Sequence, residues 1–193
     1  MGEEDLLFIK NVALRRKIEQ AIAASVFFRL QAQAAGSPEF TKEMFRISLL
    51  YIAAIIEAML LYVYKDCNFS DTEREYKFPH AIPQEFQHDK RGKIVIAIEV
   101  DTKRHERALH LGFLATYIQK ERVISTQITE RIRRVNDIRN TFHLSKSRQG
   151  MRCTSQSVEE ATKTLTDTIS SIRAYLDSKQ RKTALREEGR PRM

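Results

Sequence analysis

The stretch Ile128–His143, ITERIRRVNDIRNTFH, decides how the rest of the chain is read. At about 100° per residue, Ile132, Val135, Ile138 and Phe142 fall within about 80° of Ile128, one apolar face at helical spacing. Arg139 lands at about 20° and His143 at about 60° on the same wheel. An arginine therefore sits inside the apolar face, and a histidine stands at its edge one turn later. Arg133, Arg134, Asp137 and Asn140 fall on the opposite side. This is a helix that aims a cation at its own core. Such an arginine is costly unless it is paired or lines a cleft.

A partner is present upstream. Leu49–Tyr64 is the most apolar run of the chain, and it carries one charge, Glu57, near its middle. Sixteen residues fall short of the ~20 that a membrane span needs, and a central acid adds a penalty of ~2.5–3.5 kcal/mol. The run reads as a buried core helix, with no membrane association expected. It begins well: Ser37-Pro38-Glu39 combines a capping hydroxyl, a proline in the first turn and an acid at the positive end of the helix dipole. A first helix is expected over about Leu6 to Gln33, where Leu14, Ile18, Ile22, Val26 and Leu30 form a stripe.

Between Asp66 and Arg91 prolines, aromatics and charges mark a long connection. Ile94–Val100 then reads as a strand, which Glu75–Phe78 can pair as a small hairpin. Asp101 is expected to cap a third helix running to about Glu121. Ser125 or Thr126 starts the fourth, and a capping box at Ser157 and Glu160 opens a fifth that runs to about Ser178. The expected fold is all-α: a five-helix bundle with a small β insertion (about 75–100) between helices 2 and 3. One domain spans 1–178, followed by a basic C-terminal tail, 179–193.

Composition excludes several classes. The chain has 193 residues, 42% of them hydrophobic, so general disorder is not expected. Two cysteines, Cys67 and Cys153, support neither a disulfide framework nor a cysteine-based zinc site. The five histidines lack zincin spacing, and no two glycines lie close enough for a phosphate loop, so neither metal nor cofactor is expected. Reduced cysteines and an acidic N-terminus point to the cytoplasm.

The charge is +8, from 33 Lys and Arg against 25 Asp and Glu. Residues 121–153 contribute +5 and residues 179–193 contribute +4, leaving the remainder at −1. The excess is thus confined to the arginine-bearing helix with its following segment and to the tail. Arg133, Arg134, Lys146, Arg148 and Arg152 are the candidate phosphate contacts. A solvated charged face is the competing reading of such runs.

Arg139-Asn140-Thr-Phe-His143, near the end of a basic amphipathic helix, resembles the Arg-Asn…His signature of the HEPN superfamily. Ile52–Leu60 with its embedded Glu57 resembles that family's apolar helix. Gly112-Phe-Leu followed by Val123-Ile-Ser resembles its run into the motif. The likeness covers roughly residues 40–178. It implies a bundle that dimerises through the motif-bearing helices and, in many members, a metal-independent ribonuclease of toxin or defence type. By the resemblance, His143 would move the proton of a ribose 2′-hydroxyl or of the leaving oxygen. Arg139 would stabilise phosphate charge, Asn140 would position His143 or the backbone, and Glu57 would orient Arg139. RNA, a second copy and a regulatory protein or antitoxin are the implied partners. One departure stands out: three residues separate Arg139 from His143, where the family has four to six. Two other readings remain beside it. One is a non-catalytic module binding a nucleotide, nucleic acid or protein. The other is a structural bundle with a buried Glu57–Arg139 pair.

Overall fold

The computed structural model describes residues 3–70, 72–77, 98–103, 109–142 and 153–188. Five α-helices occur among them: α1 (Val12–Ala34), α2 (Pro38–Asp66), α3 (Leu111–Lys120), α4 (Thr126–Asn140) and α5 (Ser155–Glu188). Between α2 and α3 the backbone of β1 (Thr72–Lys77) runs antiparallel to that of β2 (Ile98–Lys103), in a register from Thr72↔Lys103 to Lys77↔Ile98.

Short polar side chains set where α1, α2 and α4 begin. Asn11 Oδ1 accepts from the Leu14 amide at 3.0 Å, Ser37 Oγ from Phe40 at 3.4 Å, and Ser125 Oγ from Ile128 at 3.3 Å. Each satisfies one amide that a helix start leaves without an internal acceptor. Two helices end on non-glycine residues in the left-handed region, Asn68 (φ 53°) and Arg122 (φ 59°). At both, amides return to the last turn: Phe69 N to Tyr64 O at 3.0 Å, and Val123 N to Ile118 O at 3.1 Å.

α2 is the central helix and packs against each of the other four. Leu49, Ile52, Ala53, Ile55, Ile56, Met59, Leu60 and Val63 are buried along it. Leu114 and Ile118 from α3, Ile132 and Val135 from α4, and Leu165, Ile169 and Ile172 from α5 complete the core. The buried Thr164 and Thr168 of α5 donate to the carbonyls four residues back, both at 2.7 Å, and so bring only methyl groups to their neighbours. By length and composition α2 could cross a membrane; 56% of its most apolar 18 residues is buried inside the fold.

Five expectations need correction. α1 begins at Val12, not near Leu6: Glu3–Leu6 is a 3-10 turn, the Ile9 amide closes a further turn onto Leu6 O at 3.0 Å, and Leu6 and Ile9 are buried ahead of the helix. Its stripe is only partly internal. Ile18 is buried and Leu14 and Ile22 half-buried, but Val26 and Leu30 are exposed; the buried positions there are Ser25, whose carbonyl accepts from Ser48 Oγ of α2 at 2.9 Å, and Ala32. Asp101 lies in β2, and α3 starts ten residues later, where His110 Nδ1 accepts from Phe113 N at 3.3 Å. The cap of α5 is Thr154: its hydroxyl accepts from Ser157 N at 3.2 Å, and Ser157 Oγ returns to Thr154 N at 3.4 Å. Finally, α5 does not stop near Ser178 but continues to Glu188, so most of the expected tail is helical. Most of the apolar run Ile94–Val100 lies outside the described residues.

Candidate functional site

The candidate site forms where the middle of α2 meets the start of α3 and the last turn of α4. Ile128, Ile132 and Val135 are buried, while Ile138, Arg139 and Phe142 are half-buried. α4 thus leaves the core gradually, and Arg139 emerges with its side chain lying over α2. There Glu57 Oε2 meets Arg139 Nη1 at 2.8 Å. The other carboxylate oxygen, Oε1, accepts from the Leu111 amide at 3.0 Å. Leu111 is the first residue of α3, so this oxygen takes an amide left over at a helix start and sits at the positive end of its dipole.

Glu57 therefore joins three helices through two charge-assisted bonds. The pair is not sealed: the side chains are 34% (Arg139) and 26% (Glu57) exposed. That exposure leaves the guanidinium edge reachable by an anion from solvent. Asn140 closes α4 and is half-buried beside Arg139. His143, Lys146, Arg148 and Arg152 lie outside the described residues. Arg133 and Arg134 are exposed on α4, as the wheel requires; Arg133 Nη2 also donates to Thr116 Oγ1 at 3.1 Å, which ties α4 to α3.

Three further side chains border this region. Arg46, one helical face along α2, stacks its guanidinium 4.8 Å from the centre of the Phe142 ring and bonds Glu43 at 2.6 Å. His110 and Asn136 both lie close to Gly112: a methyl group placed on that glycine would meet His110 Nδ1 at 3.6 Å and Asn136 Nδ2 at 3.8 Å. The α4 wheel could have flagged Asn136, which lies one turn before Asn140. Arg46 and His110 carried no such signal, because their roles depend on contacts between distant helices.

Arg131 holds Asp167 of α5 at 2.7 Å, and its Nε is buried with no acceptor among the described residues. Burial pushes the Cys153 thiol up to about 11, with Arg46 pulling slightly down and Glu43 up, and it raises Cys67 as well. Neither thiol is poised as a nucleophile. No group of three or more metal-ligating side chains occurs among the described residues. Comparison with protein-family models, curated proteins and solved structures gives no match.

Proposed function

We propose that this chain is a HEPN-like helical protein acting on RNA, a metal-independent endoribonuclease of toxin or defence type. In this reading α2 to α5, with an insertion between α2 and α3, form the HEPN-like bundle. The Glu57–Arg139 pair carries it. An arginine at the end of a basic helix, held by a carboxylate yet one-third exposed, is pre-oriented to meet a phosphate oxygen. His143, four positions on in sequence, would supply the proton transfer. Arg133 and Arg134 supply sequence-independent phosphate attraction, together with Lys146, Arg148 and Arg152.

The test is cleavage of structured and unstructured RNAs in the presence of EDTA. Cleavage leaving 2′,3′-cyclic phosphate ends, abolished by His143→Ala at unchanged circular dichroism, supports the reading. Intact RNA under all conditions, including mixtures with candidate activators, removes the enzymatic claim.

A second reading draws on a specific observation. Glu57 also bonds the first amide of α3, so the pair knits three helices whether or not anything binds. In that reading the chain is a non-catalytic module, or a purely structural bundle. Stability would then fall on Glu57→Gln, while RNA affinity, if any, would be unchanged.

A further inference from the structure

Polar side chains join α4 to the α3 side of the bundle at two places, and the position between them is open. At one end Arg133 Nη2 donates to Thr116 Oγ1 at 3.1 Å, and Thr116 Oγ1 donates in turn to Gly112 O at 2.9 Å. At the other end Arg139 reaches the Leu111 amide through the two oxygens of Glu57. Asn136 lies midway along α4, one helical turn from each arginine and on the same flank of the helix. What it meets on α3 is Gly112, which has no side chain to answer it. Asn136 is half-buried, and its carboxamide has no hydrogen-bond partner among the described residues.

The backbone does not call for a glycine here. Gly112 lies inside α3 without a positive φ, and an added methyl group would meet nothing nearer than 3.6 Å, an ordinary contact. Alanine would fit and would favour the helix. The glycine thus keeps a methyl-sized gap open. One wall is the His110 ring, whose Nδ1 is already taken by the Phe113 amide. The other is the unpaired Asn136 Nδ2. Gly112 is half-buried and His110 exposed, so the gap opens to solvent. A gap of this size admits one ligand atom over the glycine, not a ring.

The surrounding charge selects that atom. Two guanidinium groups flank the gap, against one carboxylate, Glu57, whose oxygens are both engaged. Asp137 is turned about 100° away from Asn136 around α4. Guanidinium and carboxamide N–H groups are donors, and an anionic oxygen is the acceptor they favour. We propose that this gap is a phosphate subsite. A phosphoryl oxygen enters over Gly112, accepts from Asn136 Nδ2, and lies between the cations Arg133 and Arg139. Asn136 is then a substrate-binding residue, and Gly112 the position that lets the oxygen in. The carrier is a nucleic-acid phosphodiester; that it is RNA rests on the reading proposed above. The subsite extends the contact of Arg139 back along α4 towards Arg133.

The test separates binding from cutting. A 2′-O-methyl oligoribonucleotide keeps every phosphate and lacks the hydroxyl that cleavage would use. In amide NMR spectra its titration should shift the Asn136 side-chain signal, identified by its loss in Asn136→Ala. Asn136→Ala and Gly112→Ala should each weaken binding about tenfold, the size of one hydrogen bond to a charged group. The double variant should lose little more, because both changes act at one gap. Gly112→Ala should melt at the wild-type temperature or above it. Wild-type affinity in Gly112→Ala overturns the proposal, as does a wild type that does not bind, or an Asn136 signal that stays still while the oligonucleotide binds. Inorganic phosphate bound as tightly as the oligonucleotide overturns the assignment to a diester. Binding that moves Asn136 without any cleavage of natural RNA supports the subsite and sinks the ribonuclease reading. RNA cleavage with unchanged kcat/KM in both variants does the reverse.

Discussion

At the level of single residues, Arg139 and Glu57 are held by geometry and softened by solvent. A fully exposed pair contributes about 0–1 kcal/mol, and breaking a sealed one costs about 3–5 kcal/mol. With a quarter to a third of each side chain exposed, Arg139→Ala should cost between these limits, about 1–2 kcal/mol in urea unfolding. Cys153 gives a pH signature. Its thiol holds its proton to about 11 in the fold and to about 9 when unfolded. The unfolded chain therefore ionises first as pH rises. The stabilisation is full below pH 9 and is lost between about 9 and 11. Unfolding free energies at pH 8 and pH 11 should fall further for wild type than for Cys153→Ala.

At the level of elements, the ends of the helices are set by a few polar side chains. Thr154→Ala should destabilise by about 1 kcal/mol, while Glu160→Ala should change stability little, because the cap lies three residues upstream of the Ser157–Glu160 pair. Arg122 adopts a conformation that costs a side-chain-bearing residue about 1 kcal/mol or more. Arg122→Gly should therefore raise the melting temperature. The same elements show what the sequence discloses. Ser37-Pro38 and Ser125 announced their helices because each carries its own capping oxygen. The apolar wheel of α4 located Arg139 because the side chains of one helix face follow from spacing alone. The start of α3 was not legible. Its capping atoms come from His110, a residue with many other roles, and from Glu57, fifty-four positions away. The length of α5 was hidden for a different reason. Beyond Leu176 the sequence carries no apolar stripe, and the good helix propensity of Lys, Gln, Arg and Ala is what speaks for a helix there.

At the level of the whole molecule, charge and core are separable. Up to Arg181, the last residue of α5 whose side chain is described, the final buried position is Leu176, so a chain stopped at Ser178 should fold with nearly unchanged stability. It would lose +4 of the +8. If RNA binds, its affinity should then fall less steeply with salt, by up to about four in the log–log slope. An unchanged slope would assign the phosphate contacts to α4 and its following segment alone. Glu57 has a consequence at this scale too. Its two oxygens serve two clients, the guanidinium at the end of α4 and the first amide of α3. Events at the two are thermodynamically linked, and linkage runs equally in both directions. An anion that draws Arg139 aside alters the electrostatic anchoring of the α3 start, where the chain returns from the β1–β2 excursion. By the same reciprocity, anything that shifts this return retunes the arginine, without touching it.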